Sequence, residues 1–300
     1  MAERREISKE ISSIQHGFED IDYITDLSLA TTIFLMTKLK KPVLIEGQAG
    51  VGKTEVAKVL ASYLNTNLIR LQCYEGLDVN SALYEWNYQK QLLAIKLQEG
   101  VNEPLDEKEK HIFSEEFLLE RPLLQSIRET DAPPVLLIDE IDRADEEFEA
   151  FLLEILSDFQ VSIPELGTIK AVHIPFVILT SNQSRELSEA LRRRCLYYYM
   201  NYPDHEKELR IINHKVPEIE ESLAGQIVSF IQKLRELDIS KPPGVAESLD
   251  WAMALLSLDK KELDEESIEE TLGITLKSNE DAEIVKELGI KTILAEATEV

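Results

Sequence analysis

The chain has 300 residues, of which 44% are hydrophobic, so it can bury the core of one large or two small domains. Its formal net charge of −25 opposes binding to nucleic acid or to an anionic membrane surface, since both depend on clustered Lys and Arg. The apolar stretches are short, the N-terminus is charged, and the two cysteines are far apart. These features predict a cytoplasmic protein without a membrane span, a disulfide framework or a zinc site.

The first predicted elements are a helix, a strand, a glycine-rich turn and a second helix. The first helix ends before Pro42, the strand covers Val43 to Ile45, the turn begins at Gly47, and the second helix covers Thr54 to Leu64. Further apolar runs predict strands at 68–71, 135–138, 176–179 and 196–200. Continuous apolar strands separated by helices predict an α/β fold with a doubly wound parallel sheet.

Two stretches interrupt this alternation. The stretch from Asp78 to Ala132 is long, acidic in places and predicted to be helical. The stretch from Phe159 to Ile174 places two short apolar runs around Pro164-Glu165-Leu166-Gly167 and predicts a β-hairpin. Leu166 at the hairpin turn is either a contact residue for a partner or a side chain that packs on its own hairpin.

The pattern beyond Pro203 is helical. Helices are predicted at 206–214, 220–237 and 246–258, followed by one more short helix and an acidic end. The predicted organisation is an αβα nucleotide-binding domain at 1–203, a smaller all-helical domain at 204–277, and an acidic, loosely ordered tail at 278–300.

A phosphate-binding loop follows the first strand. The spacing is Gly, four residues, then Gly-Lys-Thr, in the order Gly47, Gln48, Ala49, Gly50, Val51, Gly52, Lys53 and Thr54. Backbone N–H groups of the loop and the N-terminus of the next helix can hold the phosphates of ATP. The Lys53 ammonium suits the β and γ phosphates, and the Thr54 hydroxyl suits Mg²⁺.

Polar residues at two other strand ends complete the predicted site, because ligands bind at this edge of open α/β sheets. Asp139 is predicted to hold Mg²⁺, and Glu140 to orient or deprotonate the attacking water. Asn182 either positions that water and senses the γ-phosphate or caps the helix that follows. Among Arg192, Arg193 and Arg194, the first fits a helix C-terminus, whereas the others can stabilise charge on phosphate oxygens.

These motifs in this order resemble the AAA+ ATPases, and within them the MoxR family. The resemblance covers about residues 18–258 and makes the loop Walker A, Leu136–Glu140 Walker B, Asn182 sensor 1 and Arg194 the arginine finger, with Arg193 in reserve. It implies a homo-oligomeric ring, commonly a hexamer, with a helical C-terminal lid, a helix-2 insertion after Asp78, and protein clients. Glu247 stands where many relatives carry a sensor 2 arginine.

A narrower likeness is to the CoxD-type branch of that family. Three stretches carry it: Arg70-Leu71-Gln72-Cys73-Tyr74-Glu75-Gly76-Leu77-Asp78, Ala82-Leu83-Tyr84-Glu85-Trp86-Asn87-Tyr88, and Lys241-Pro242-Pro243-Gly244-Val245-Ala246-Glu247. This likeness implies maturation of a molybdenum hydroxylase with a von Willebrand A protein as partner. Two rival interpretations are a slow nucleotide-gated binding module and a DNA-acting AAA+ protein, and the acidic charge opposes the second.

Overall fold

The structure is a computed structural model that describes residues 2–97 and 104–298. The chain divides into two compact units. The first unit contains the described parts of Met1–Ile14, Leu27–Glu46 and Thr54–Tyr199. The second contains those of Gln15–Asp26, Gly47–Lys53 and Met200–Val300.

The strands of the described residues form a larger sheet and two small ones. In chain order they are β1 (Val43–Gly47), β2 (Leu68–Gln72), β3 (Tyr84–Trp86), β4 (Leu118–Glu120), β5 (Val135–Asp139), β6 (Gln160–Ile163), β7 (Gly167–Lys170), β8 (Phe176–Ser181) and β9 (Leu196–Met200).

The α-helices of the described residues lie before, between and after these strands. They are α1 (Ala2–Glu19), α2 (Leu27–Leu39), α3 (Lys53–Leu64), α4 (Val79–Ala82), α5 (Tyr88–Leu97), α6 (Leu105–Ile112), α7 (Pro122–Arg128), α8 (Glu146–Asp158), α9 (Glu189–Arg194), α10 (His205–Lys215), α11 (Glu221–Glu236), α12 (Val245–Ser257), α13 (Glu265–Thr275), α14 (Asn279–Leu288) and α15 (Ile290–Thr298).

The larger sheet has the order β2-β5-β8-β1-β9, and its pairings from β2 to β1 are parallel. Every residue of β1 and β5 is buried, which explains their continuous apolar sequences. The register aligns Gln72 with Asp139 and Glu46 with Ser181, so the carboxyl ends of these strands share one edge. The predicted α/β class with a parallel central sheet and a helical C-terminal region is confirmed.

The stretch between β2 and β5 is less helical than predicted. It contains the short helices α4 to α7 and an antiparallel pair, β3 and β4, in which Trp86 lies opposite Leu118. Trp86 is buried and meets the Phe113 ring edge-on at 5.4 Å. The aromatic residues Tyr84 and Trp86 favour an extended backbone over helix, which explains the difference. Residues 98–103 of the predicted helical stretch lie outside the described residues.

The predicted hairpin is confirmed. Strands β6 and β7 pair antiparallel, with Ile163 opposite Gly167. Leu166 is partly buried and packs against the apolar core of the first unit. Of the two interpretations of this leucine, the structure therefore supports packing on its own unit.

The second unit is organised around α10 to α15, with Trp251 and Phe230 fully buried in its core. Two segments from the predicted first domain belong to this unit, because they bond to its helices. Arg210 forms an ion pair with Glu19 at 2.5 Å, and the Val245 N–H donates to the Gly50 carbonyl at 2.9 Å.

The prediction of a loosely ordered tail is wrong for residues 279–298. These residues form α14 and α15, and Val285, Ile290 and Ile293 are buried in the core of the helical unit. Ser278 caps α14 by accepting the Asp281 N–H at 3.5 Å. The acidic composition of this region hid an amphipathic pattern whose apolar residues recur at roughly helical spacing.

Candidate nucleotide site

The phosphate loop joins β1 to α3, in the order that the motif requires. Gly50 and Gly52 have φ angles of +78° and +94°, where a side chain is strained, and such backbone turns N–H groups toward one point. Lys53 is 6% exposed, and its ammonium donates to the carbonyl oxygens of Gly47 at 2.8 Å and Gln48 at 2.6 Å. The Lys53 ammonium therefore lies close to the loop backbone that would surround a phosphate group.

The loop also contacts the N-terminus of α12 within the second unit. A Cβ atom on Gly244 would lie 2.7 Å from the Gly50 Cα, closer than side chains tolerate. Glu247 is the third residue of α12, and its Oε2 accepts the Gly244 N–H at 2.9 Å. This glutamate thus caps α12 beside the loop and brings no positive charge there.

Asp139 ends β5 and is 2% exposed. Its Oδ1 accepts the hydroxyl hydrogens of Thr180 at 2.6 Å and Thr54 at 3.0 Å. Its Oδ2 accepts the Arg70 guanidinium, with Nε at 3.1 Å and a terminal nitrogen at 2.6 Å. Four donors therefore fix this carboxylate, and one of them stands on the first turn of α3, directly after the phosphate loop.

Glu140 follows with a left-handed backbone, φ 55° and ψ 49°, which is a strained conformation for a residue with a side chain. Its N–H donates to the Thr180 hydroxyl at 2.9 Å. The carboxylate accepts hydrogen bonds from Gln72 at 3.1 Å, Arg143 at 3.3 Å and Asn182 at 3.5 Å. Glu140 and Asn182 are thus brought together at this edge of the sheet.

Asp142 fixes the segment that carries Asn182. Its Oδ1 accepts the Asn182 N–H at 3.2 Å, and its Oδ2 accepts both the N–H and the hydroxyl of Ser184. Burial raises the pKa of Asp142, but the hydrogen bonds from Ser184 and Asn182 outweigh it and hold the pKa below its usual value. Ser188 caps α9, so the alternative interpretation of Asn182 as a helix cap is wrong.

The three predicted arginines have different environments. Arg192 stacks on the Tyr197 ring and lies 4.0 Å from the Glu46 carboxylate. Arg193 pairs with Glu189 on its own helix. Arg194 is exposed, and within the described part of the chain its guanidinium donates to Ser157 at 2.8 Å and to a backbone carbonyl of α9 at 3.1 Å. The structure therefore does not bring Arg194 together with Asp139 and Glu140.

The donor set fits Mg²⁺ and the phosphates of a nucleotide. The Thr54 hydroxyl and the Asp139 carboxylate lie 3.0 Å apart and are hard oxygen ligands, of the kind that Mg²⁺ uses together with substrate phosphates. The described residues contain no cluster of three or more His, Cys, Asp or Glu that could form an all-protein cage. Burial, and then the charges of the neighbouring acids, raise the pKa of Cys73 to about 12, so this thiol stays protonated.

The sequence prediction missed three residues at this edge: Arg70, Gln72 and Thr180. Arg70 and Gln72 are polar residues two apart at the end of β2, a spacing that places them on one face of the strand. The alternation of polar and apolar residues at the end of β2 could have identified these two side chains. Thr180 stands in a buried apolar strand, and no feature of the sequence distinguishes it from a packing residue.

Residues 42–195, just over half of the chain, match the family described as AAA domain, dynein-related subfamily. The chain therefore belongs to this family of AAA+ P-loop proteins, whose members generally hydrolyse ATP and commonly form ring oligomers. Among the described helices, none combines the length and apolar character needed to cross a membrane.

Curated relatives and solved structures extend the comparison. An uncharacterized protein of Staphylococcus haemolyticus is 26% identical over 78% of this chain and 82% of its own length. One of Staphylococcus aureus is 27% identical over 73% of this chain and 77% of its own length. The RuvB Holliday junction branch migration motor of Thermotoga maritima superposes with a TM-score of 0.46 and 18% identity, covering 82% of this chain and 67% of that one.

Proposed function

We propose that this chain binds ATP with Mg²⁺ at residues 47–54 and hydrolyses it. One observation carries the proposal. The Thr54 hydroxyl, in the first turn of the helix after the phosphate loop, bonds the buried Asp139 carboxylate, and Glu140 is the next residue. A metal ligand pair and an acid beside it are what phosphoanhydride hydrolysis requires of a protein.

Each residue has a proposed role at its own atoms. Backbone N–H groups from Gly47 to Thr54 and the Lys53 ammonium bind the phosphates, and Thr54 and Asp139 hold Mg²⁺. When bound, Mg²⁺ neutralises charge on the β and γ phosphate oxygens. Glu140 accepts the proton of the attacking water, and Asn182 orients that water. Arg194 points to α8 and α9 of its own chain, so we assign it to the ATP of a neighbouring subunit.

A slow nucleotide-gated binding module is the second candidate. The Arg143 guanidinium donates to the Glu140 carboxylate at 3.3 Å, so an attacking water must compete with this side chain for the carboxylate. This observation favours low turnover until a partner releases Glu140. The two candidates differ in one quantity, which is the steady-state rate of ATP hydrolysis with and without a partner.

We further propose that the active unit is a homo-oligomeric ring of the MoxR type, with a hexamer as the expected form. This ring acts on protein clients in the cytoplasm. Family membership supports the ring, and the CoxD-like stretches at 70–78 and 241–247 support a molybdenum hydroxylase as client. A von Willebrand A protein is the proposed partner, because the metal-ion site of such a domain could accept an acidic side chain from this surface of net charge −25.

The test is phosphate release by the purified chain, with and without a purified von Willebrand A domain protein. Lys53→Ala should abolish turnover and weaken ATP binding, because the loop loses its cation. Lys58→Ala is the matched control, since Lys58 is an exposed residue of the same helix that pairs with Glu55. Equal phosphate release by Lys53→Ala and the unaltered chain would refute the proposed function. A rate unchanged by the partner would refute the partner assignment alone.

A further inference from the structure

A buried carboxylate lies near the end of β1, directly before the phosphate loop. Glu46 is 3% exposed, and its Oε2 accepts the Tyr197 hydroxyl at 2.9 Å and the Gln183 amide nitrogen at 3.1 Å. Burial of a charged carboxylate is unfavourable unless hydrogen bonds or an opposite charge compensate for it. The chemistry proposed for Asp139 and Glu140 does not involve this carboxylate.

One of these bonds reaches the strand that follows Arg194. Strand β9 begins at Leu196 and lies at the edge of the larger sheet, where β1 is its only neighbouring strand within the described residues. An edge strand is held by backbone hydrogen bonds on one side alone. The hydrogen bond from Tyr197 to Glu46 is therefore a second attachment of β9 to β1, and it is made by side chains.

Arg192 joins the same cluster from α9. Its guanidinium lies 4.0 Å from the Glu46 carboxylate and 5.6 Å from the centroid of the Tyr197 ring. Burial, then the hydrogen bond to Glu46 and the charge of that carboxylate, raise the pKa of Tyr197 against the opposing charge of Arg192. The phenol therefore stays protonated and donates its hydrogen. Arg194 stands in the sequence between the two residues of α9 and β9 that contact Glu46.

We propose that Glu46 is a positioning residue that holds the segment carrying Arg194 in a fixed place relative to the strand before the phosphate loop. Arg194 is the last residue of α9, and Glu46 contacts one side chain from α9 and one from β9. A misplacement of about 1 Å can lower the rate of a catalysed step on the order of a hundredfold. This inference rests on the proposed function, and within it on the assignment of Arg194 to the ATP of a neighbouring subunit.

Tyr197→Phe removes the hydroxyl and keeps the ring beside Arg192. The measurements are kcat for ATP hydrolysis and the dissociation constant of a fluorescent ATP analogue. We expect kcat to fall by about five- to twentyfold, less than for Arg194→Ala because β9 keeps its pairing with β1. The dissociation constant should stay within about twofold, since no group that binds phosphate is removed. Tyr199→Phe is the matched control and should leave kcat unchanged, because Tyr199 is an exposed tyrosine on the same face of β9.

Two further measurements separate a positioning role from a general loss of structure. In the Arg194→Ala background, Tyr197→Phe should change kcat by less than about twofold, because both changes remove the same contribution. In rings mixed with excess Lys53→Ala subunits, a Tyr197→Phe subunit receives a correctly placed Arg194 from its neighbour. Its rate per intact phosphate loop should therefore match that of the unaltered chain in the same mixture to within about twofold.

The possible outcomes are distinguishable. If the unaltered chain hydrolyses no ATP, the proposed function fails and the inference fails with it. If Arg194→Ala hydrolyses ATP at the unaltered rate, the assignment of this arginine fails, and so does the inference. If Arg194→Ala is slow but Tyr197→Phe matches Tyr199→Phe, the role of Glu46 is overturned alone. Multiplicative losses in the double variant, or no recovery in the mixed rings, would also overturn it.

Glu46→Gln is the second variant, and it decides if Tyr197→Phe loses its cooperative melting transition. The neutral amide keeps the size of the side chain, and its oxygen is a weaker acceptor than a carboxylate. We therefore expect kcat to fall by about threefold or more and to recover in rings mixed with Lys53→Ala subunits. A kcat equal to that of Tyr199→Phe, or a loss that persists in the mixed rings, would overturn the inference.

Discussion

Gly244→Ala tests the contact between the phosphate loop and α12. The backbone of Gly244 has φ −85° and ψ −175°, which alanine adopts without strain. The glycine is therefore required by space alone. An added Cβ would lie 2.7 Å from the Gly50 Cα and 2.8 Å from its carbonyl carbon and oxygen, all of which are backbone atoms that cannot rotate away.

The expected cost follows from these distances. Overpacking a closely packed site costs about 1–3 kcal/mol, and loss of the hydrogen bond from the Val245 N–H to the Gly50 carbonyl costs about 1 kcal/mol. Displacement of Gly50 moves the N–H groups that would bind phosphate. Since about 1.4 kcal/mol is a factor of ten in affinity, we expect nucleotide binding weakened by about tenfold or more.

The assay is titration with a fluorescent ATP analogue, together with the melting temperature. Gly273→Ala is the control, because Gly273 lies in α13 and a Cβ there meets nothing within 4 Å. That control should stabilise the helical unit by about 0.5–1 kcal/mol and leave affinity unchanged. If Gly244→Ala binds nucleotide as tightly as the unaltered chain, the loop does not depend on its contact with α12.

Three other predictions concern assembly, thiols and the buried hydroxyl. Arg194→Ala should lower the rate of ATP hydrolysis by about a hundredfold or more. Mixing it with Lys53→Ala subunits should restore part of that rate, because each variant supplies the group that the other lacks. A fully active monomer would contradict the ring. Burial raises the pKa of both Cys73 and Cys195 from 9.0 to about 12. Both thiols should therefore react with a thiol reagent at pH 8 about a thousandfold more slowly than in the unfolded chain, and rapid native labelling would contradict this. Thr180→Val, which deletes a hydroxyl bonded to both acids of the site, should cost about 1–3 kcal/mol in chemical unfolding and lower turnover; unchanged stability would contradict this role.

The sequence was sufficient where a functional residue lies directly beside the strand or helix that positions it. The phosphate loop stands between an apolar strand and a helix, and Asp139 ends a strand whose every residue is buried, with Glu140 directly after it. These local patterns were sufficient to predict the parallel sheet and the hairpin. The contact between Arg70 and Asp139 could not be predicted in the same way, because it depends on the register of β2 against β5.

The wrong predictions also concern contacts between residues that are far apart in the chain. Acidic composition suggested a loose tail, but Val285 and Ile290 are buried in one core with residues of much earlier helices, and local sequence does not describe those contacts. The grouping of the loop with α12 follows from the close approach of Gly50 and Gly244, two glycines 194 positions apart (244 − 50). No spacing rule connects residues so distant in the chain.

The proposed function makes Glu140 the group that activates the attacking water at an ATP site built on the phosphate loop. Glu140→Gln tests it most directly, because the amide keeps the size of the side chain and loses only the proton acceptor. Turnover measured beside nucleotide affinity should fall by about a hundredfold or more, while the dissociation constant for ATP stays within about threefold. Phosphate release by Glu140→Gln at the rate of the unaltered chain would contradict the account.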